Sequence, residues 1–246
     1  MDNTLRILLL LRDRGRLTIA DVAASLDIAR SSAHRLMAML VYYDYVRQDP
    51  ADRAYRIGPA LIDIGLSAAR VLDVRRLARP VLTDLVDSTG LTAHLVLPRG
   101  RNVLFADGVE SQRTIRAALR TGTTLPAHAT SGGKALLAAL SDDELHKMYA
   151  HTPPEALTKR SVSSMRSLLH EIAKVRRMGY AINQGESEDG VLAMGVACAI
   201  PDADLAVAIT VSGPDAPISE KWEKQTAESL FDAANELRKQ IQTYRL

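Results

Sequence analysis

The segment from Ile28 to Val46, IARSSAHRLMAMLVYYDYV, constrains the fold most strongly, because its apolar residues recur at helical spacing. One face of the predicted helix is apolar and should be buried; it carries Ala33, Leu36, Met37, Leu40 and Val41. The opposite face, at the helix start, carries side chains that donate hydrogen bonds to phosphates and base edges: Arg30, Ser31, Ser32, His34 and Arg35. This mixture suits a helix that reads the DNA major groove, although a solvated surface helix explains the same residues.

The segments before this helix predict two further helices. Leucines at near-helical spacing predict a first helix that ends at Gly15. These leucines are Leu5, Leu8, Leu9 and Leu11. Thr18 with Asp21 predicts the capped start of a short second helix.

The segments after it predict a β-hairpin. Residues 45–48 and 54–57 alternate as two short strands around a turn-rich connection, and the hairpin carries Arg47 and Arg53. Helix, helix, turn, helix and hairpin predict a winged helix-turn-helix over residues 1–57. Double-stranded DNA is the expected partner, with Arg53 at the wing tip; a small unit that docks on protein is the alternative.

Composition sets broad limits on the function. From Met1 to Ile57 the chain has nine arginines and seven aspartates, so the whole net charge of +2 lies in this first quarter. A single cysteine, Cys198, excludes an internal disulfide framework and a Cys-based zinc site. The longest aliphatic run is Ile7 to Leu11, too short for a membrane span, and the first residues lack a signal-peptide pattern, so we expect a cytoplasmic protein.

The rest of the chain predicts an α+β domain. Gly58-Pro59 ends the wing and opens a linker helix, which gives predicted parts of 58–71 for the linker and 72–246 for the second domain. A helix over residues 73–89, kinked or restarted at Pro80, is followed by a hairpin over 92–109. A further helix is predicted to begin at Ser141, and two more over residues 164–178 and 220–243. Strands are predicted over residues 180–183, 192–200 and 205–212. Without regular β-α-β alternation, a mixed or antiparallel sheet flanked by helices is expected.

Four stretches resemble one known family, the IclR-type transcription regulators. The run LTIADVAASLDIARSSAHRLMAMLVYYDYVRQDPADRAYRIGPALIDIG, from Leu17 to Gly65, is similar to the characteristic run of that family without a gap. GTTLPAHATSGGKALLA, RRMGYA and AVAITVSGP, at 122–138, 176–181 and 206–214, resemble its second half. Two residues depart from the family pattern: Asp27 replaces a common glycine, and Ala29 replaces a frequent proline.

The resemblance implies how such a chain works. It implies a winged helix that binds an inverted-repeat operator, a GAF-like domain that binds a small molecule and alters operator binding, and assembly as a homodimer or a dimer of dimers. It implies an effector pocket lined by Ser131 and Gly132, by the polar residue Asn183, and by the Thr210/Ser212 pair. A residue of the strand after Gly190, either Ala193 or Met194, completes this implied lining. No cofactor or metal is implied.

The residues themselves add to this pocket. Alternation places Thr210 and Ser212 on one strand face. The stretch from His128 to Lys134 fails as a phosphate loop, because it lacks glycine at His128 and a hydroxyl at Ala135. It remains a small-residue entry into a helix expected over 134–140, whose free N–H groups suit a carboxylate effector. His128 is expected to line this pocket, and Ala117 with Leu119 to form an apolar wall.

Two rival functions stay open. An enzyme is disfavoured, because Cys198 lies in an apolar strand, no Gly-x-Ser-x-Gly elbow occurs, and His146 and His151 are spaced off one helical face. A DNA-binding regulator controlled by a protein partner or by oligomerisation alone would need no small-molecule pocket, and ligand-dependent thermal stabilisation separates it from the effector-controlled one.

Overall fold

The computed structural model describes residues 2–200 and 205–244. The chain divides into two compact units, Met1–Leu72 and Asp73–Leu246. Within the described residues, no helix is both long enough and apolar enough to cross a membrane.

The first unit is a helix-turn-helix with a small wing. Its elements are α1 Asp2–Arg14, α2 Ile19–Leu26, α3 Arg30–Tyr42, β1 Val46–Gln48 and β2 Tyr55–Ile57. The two strands pair antiparallel, with Val46 opposite Ile57. A single apolar core joins the three helices to the wing through Leu11, Val22, Met37 and Tyr55. The predicted order of elements is confirmed.

The buried face of α3 differs in part from the expected stripe, and the structure shows which face of α1 is buried. On α1 the buried residues are Ile7 and Leu11, whereas Leu5 and Leu9 are exposed. On α3 Ala33, Met37 and Leu40 are buried, and Val41 is exposed. These short helices each pack against few neighbours, so only a narrow stripe is covered and the leucines beside it stay in solvent.

The turn between α2 and α3 depends on a left-handed residue. Asp27 ends α2 at φ 52 and ψ 51, and the next amide, that of Ile28, donates to the Ala23 carbonyl at 3.1 Å. Glycine adopts this conformation freely, while aspartate is among the residues that tolerate it. Asp27 therefore keeps the turn geometry that the family pattern assigns to glycine.

Helix α4 runs without interruption from Pro59 to Thr89 and has Pro80 in its interior. The sequence predicted a linker helix over residues 58–71 and a second helix over 73–89, the second kinked or restarted at Pro80. A proline removes one backbone hydrogen bond, and that loss does not end the helix here because buried apolar residues surround it on the same helix: Val74, Leu77, Ala78, Val81, Leu82, Leu85 and Val86.

The second unit is built on a six-stranded antiparallel sheet. Its strands are β3 Thr92–Arg99, β4 Asn102–Val109, β5 Thr124–Pro126, β6 Ala181–Gln184, β7 Val191–Ile200 and β8 Leu205–Pro214. The spatial order is β5-β4-β3-β8-β7-β6. The short strand β5 was not predicted; the remaining strands confirm the antiparallel α+β fold, with ends that differ from prediction by one or two residues.

Helices cover both faces of this sheet. They are α5 Ser131–Leu137, α6 Asp142–Tyr149, α7 Met165–Met178 and α8 Glu220–Tyr244. Helix α5 packs on β7 and β8, and α6 and α7 extend that layer over a core that includes Val96, Leu145 and Ile172. On the opposite face, the Cys198 thiol lies 3.4 Å from the Ala234 carbonyl of α8. One side of the sheet is therefore paired with α5 and the other with α8.

The strained turn gives a first prediction. Replacing Asp27 by alanine should destabilise the α2–α3 turn by about 1 kcal/mol, because the left-handed backbone conformation is less favourable for alanine than for aspartate. Replacement by glycine should leave stability equal or higher. Native-state hydrogen exchange of the α2 and α3 amides in the full-length protein measures both effects. Equal protection in the alanine and glycine variants would contradict the strain.

Candidate functional site

The first part of α3 presents a polar, basic surface. All five side chains expected to contact DNA there are exposed: Arg30, Ser31, Ser32, His34 and Arg35. The residue before the helix, Ala29, has no side-chain acceptor, so the first amides of α3 lack a side-chain cap. Free amides at a helix start can donate to a phosphate oxygen.

Ion pairs connect the residues of the wing with one another and with the segment before α2. Arg56 pairs with Asp49 at 3.1 Å and with Asp52 at 3.0 Å, and Asp52 also pairs with Arg16 at 3.3 Å. Arg53 has φ 54, and its carbonyl accepts from the Gln48 side chain at 2.9 Å. Within the described residues Arg47 and Arg53 form no ion pair and are exposed, so both guanidinium groups can meet a DNA backbone.

In the second unit, strand pairing collects polar side chains on the sheet face that α5 covers. His94 of β3 lies opposite Thr210 of β8, and Ser212 lies between Thr92 of β3 and Ala193 of β7. Directly opposed residues of an antiparallel pair share one face. The face therefore carries an imidazole and several hydroxyls side by side.

Helix α5 closes over this face, and it begins earlier than expected. The sequence predicted a start at Lys134, whereas the helix starts at Ser131, because the Thr130 hydroxyl caps it by accepting from the Gly133 amide at 3.1 Å. The first turn lies directly on the sheet: a methyl group on Gly132 would come within 2.8 Å of the Thr210 methyl.

A small chamber lies between α5 and the sheet. It is lined by His94, Phe105, Arg120, Thr130, Ser131, Asn183, Ser187, Val191, Ala193, Thr210 and Ser212. Five of the residues expected in an effector pocket are thus together: Ser131, Asn183, Ala193, Thr210 and Ser212. Its volume is about 20 Å³, which is room for roughly one water molecule.

The other expected pocket residues lie outside this chamber. Gly132 faces the Thr210 methyl without lining the space, and Met194 pairs with Val211 on the sheet face that α8 covers. His128 lines a separate cavity of about 140 Å³ with Tyr149, and its Nε2–H donates to the Glu155 carbonyl at 2.9 Å.

Ala117 and Leu119 also lie beyond the chamber. Ala117 lines a larger cleft outside it, and its carbonyl accepts from the Thr92 hydroxyl at 2.8 Å. Leu119 is 45% exposed. Only Ala117 therefore forms part of a cavity wall.

Six chamber residues were not found from the sequence. They are His94, Phe105, Arg120, Thr130, Ser187 and Val191. Alternation along residues 92–97 could have placed His94 on a buried face, but not its strand beside β8, which is more than a hundred residues away. Arg120 lies in the irregular segment between β4 and β5, where no periodicity marks it.

His94 is the most buried titratable group of the chamber. Burial lowers the pKa of His94 to about 4, with Arg120 adding to the effect. Its Nε2 accepts a hydrogen bond from the Arg120 backbone amide at 3.1 Å, so the ring is neutral and carries its proton on Nδ1. The ring also packs edge-on against Phe105 with centroids 5.2 Å apart. The neutral His94 ring is thus the hydrogen-bond acceptor that holds the Arg120 backbone in place.

Asn183 and Lys134 hold the chamber walls in place. Asn183 donates to the Ala129 carbonyl at 2.6 Å and accepts from the Glu186 amide at 3.0 Å, which ties the loop after β6 to the turn before α5. Lys134 is fully buried and pairs with Glu186 at 2.6 Å and Glu171 at 3.0 Å. The Lys134 ammonium is therefore engaged with carboxylates instead of facing a ligand phosphate.

The depressed pKa of His94 predicts an acid-sensitive fold. Below pH 6.5 the unfolded chain binds a proton at His94 that the folded chain excludes until about pH 4, so stability falls as pH decreases through this window. Between pH 7 and pH 5 the protein should lose about 2 kcal/mol more unfolding free energy than a His94→Gln variant. Urea titrations at the two pH values, followed by the fluorescence of Trp222, the single tryptophan, measure this. Parallel losses in both proteins would contradict the assignment.

Comparison with known proteins identifies the family. Residues 1–50 match the IclR helix-turn-helix domain, and residues 66–239 match the domain described as bacterial transcriptional regulator IclR C-terminal. The HTH-type transcriptional regulator BhcR of Paracoccus denitrificans is 30% identical over 237 residues, covering 96% of this chain and 85% of BhcR.

Solved structures agree with this match. The Thermotoga maritima IclR is similar with a TM-score of 0.65 at 25% identity, covering 98% of this chain and 99% of that protein. An IclR homolog from Microbacterium hydrocarbonoxydans, complexed with 4-hydroxybenzoate, has the same fold, with a TM-score of 0.64 at 21% identity and 98% coverage of both chains. The chain belongs to the IclR family of transcription regulators, in which a helix-turn-helix domain binds DNA and the C-terminal domain binds an effector.

Proposed function

We propose that this regulator binds an inverted-repeat operator as a homodimer or a dimer of dimers, and that a small carboxylate effector in the chamber changes its affinity for the operator. In this proposal residues 1–57 contact DNA, 58–71 link the domains, and 72–246 bind the effector. The observation that carries the effector site is the convergence of Ser131, Thr210 and Ser212 on one chamber.

The DNA contacts are proposed to come from α3 and the wing. Arg30, Ser31, Ser32, His34 and Arg35 are exposed along the helix that enters the major groove in this fold. Arginine donates two hydrogen bonds to the guanine edge, and this pairing is the commonest specific contact. Arg47 and Arg53 of the wing are proposed to contact phosphates, which position the domain without reading sequence.

Variants of α3 and the wing test this division. Arg35→Ala should weaken operator binding by about 1–3 kcal/mol and leave binding to random DNA nearly unchanged. Arg53→Ala should weaken both about equally and reduce the salt dependence by about one phosphate contact. An operator selected from a random duplex pool, titrated over a range of salt concentrations, provides both measurements. Equal losses on operator and random DNA for Arg35→Ala would reject base reading.

The chemistry of the chamber supports an effector with a polar acidic end. Hydroxyl groups donate to carboxylate oxygens, and Arg120 brings a positive charge to the same space. The homolog from Microbacterium hydrocarbonoxydans was crystallised with an aromatic carboxylate. Its likeness concerns the fold, so the choice of ligand class for this chain rests on the donors in the chamber.

The small volume of the chamber also agrees with an alternative function, a DNA-binding regulator that has no small-molecule effector. With room for about one water, the chamber admits an effector only after side chains move. A C-terminal domain that has lost ligand binding, and responds to a protein partner or to oligomerisation, would also have a filled chamber. A carboxylate at about a hundred times its dissociation constant adds ~2.7 kcal/mol of stability, and the alternative predicts no such gain.

Two chamber variants test the effector site. Ser131→Leu should abolish binding of a stabilising carboxylate by filling the chamber, and Ser212→Ala should weaken binding by about 1 kcal/mol through the loss of one hydrogen bond. Isothermal titration calorimetry measures both affinities. Met194→Leu, on the other face of β7, is the control and should bind normally. Wild-type affinity in both chamber variants would place the effector elsewhere.

A further inference from the structure

A larger cleft lies against the outside of the chamber. It has a volume of about 550 Å³ and is bordered by the segment that follows β4, by the loop between β6 and β7, and by the end of β8. Its walls include Ile115, Ala117, Ala118 and Pro214. Arg120 and Val191 line both the cleft and the chamber, so these two residues stand between them.

Arg120 is held at this position from two directions. Its backbone amide donates to His94 Nε2 at 3.1 Å, which fixes the main chain. Its guanidinium pairs with the carboxylate of Glu188, and the two side chains are 21% and 62% exposed. This ion pair joins the segment after β4 to the loop between β6 and β7 across the mouth of the chamber.

The loop that carries Glu188 is fixed at its base. Thr158 donates to the Gly185 carbonyl at 2.6 Å, and Glu186 is bound by Lys134 and Asn183. Beyond this base the Ser187 hydroxyl accepts from Asn183 at 3.2 Å, and the Gly190 carbonyl accepts from the Asp215 amide at 2.8 Å. The Glu188 side chain lies between these two contacts and is 62% exposed. The side chain of Glu188 can therefore leave Arg120 without disturbing the anchored part of the loop.

We propose that Arg120 is the anchor for the effector carboxylate and that Glu188 occupies this anchor as an internal competitor. This inference rests on the proposed function and names a residue pair for it. A guanidinium binds a carboxylate through two parallel hydrogen bonds, and Glu188 presents the same group from the protein itself. An effector acid replaces Glu188 on Arg120, and its apolar part lies along Ala117 and Ala118 in the cleft.

The charges around the cleft agree with an exchange of this kind. Exposed ion pairs contribute little free energy, so Glu188 is displaced at small cost. The second arginine of the cleft, Arg116, pairs with Glu110 at 3.3 Å, away from the chamber. Asp189 adds a negative charge to the cleft wall, so a ligand with one acidic group is favoured over one with several.

Binding of matched acids and amides tests the anchor. The probes are acetate, benzoate and 4-hydroxybenzoate, each paired with its amide, titrated at fixed ionic strength and followed by thermal stabilisation and calorimetry. The dissociation constant of a bound acid should fall about two- to fivefold in Glu188→Gln, as expected from the loss of an exposed ion pair. It should rise at least tenfold in Arg120→Gln, because a charge-assisted hydrogen bond is lost. Amide binding should not change in either variant. Arg176→Gln is the matched control, because Arg176 also forms an ion pair, with Asp142, and lines neither the chamber nor the cleft.

The outcomes separate this inference from the proposed function. An acid that alters operator binding but binds Arg120→Gln as tightly as wild type would overturn the anchor and leave the effector proposal standing. An unchanged dissociation constant in Glu188→Gln would overturn the competitor role; this exposed substitution carries little risk of misfolding. If no acid stabilises any variant, including Glu188→Gln, then both the anchor and the carboxylate effector are wrong.

Discussion

The close contact of α5 with the sheet determines the geometry of the effector-binding domain. Gly195 of β7 makes it possible: a methyl group there would lie 2.8 Å from the Thr210 methyl and 3.0 Å from the Gly132 amide nitrogen. Real Cβ atoms essentially never come within 3.0 Å of another side chain and rarely lie 3.0 Å from backbone, so a larger residue would push the helix away from the strands. Because the helix lies this close, Ser131 reaches the same small space as Thr210 and Ser212.

The same contact explains why a lysine is buried. Lys134 follows the first turn of α5 and is fully buried between two carboxylates. Burial raises the pKa of Glu186. Burial also acts to raise the pKa of Glu171, but the Lys134 ammonium opposes this effect and the pKa of Glu171 is lowered. Removing one partner from such a group leaves charge without compensation, a loss of about 3–5 kcal/mol. The group connects α5, α7 and the base of the loop that carries Glu188, so the chamber wall and its mouth are fixed to each other.

Local sequence predicts the elements here better than it predicts the chamber. Capping residues and helical spacing placed α2, α3 and α7, and alternation placed Thr210 and Ser212 on one face, because these signals depend on neighbours along the chain. His94 and Arg120 were missed because their place depends on the pairing of β3 with β8 and on an irregular segment. The leucine spacing predicted α1 but not its buried face, since tertiary contacts decide which of several leucines is covered; Leu11 is buried, whereas Leu5 and Leu9 are exposed.

The small volume of the chamber bears on how an effector could shift the protein between two conformations. A ligand changes an equilibrium between two conformations only through its different affinity for them. A preformed cavity of full ligand size could bind tightly without favouring either conformation. In the proposed function, the acidic end of the effector enters a chamber with room for about one water, so it binds only a conformation in which Arg120, Glu188 or neighbouring residues have rearranged. The full difference in affinity is then available to shift the protein between conformations, which is what an effector-controlled regulator requires.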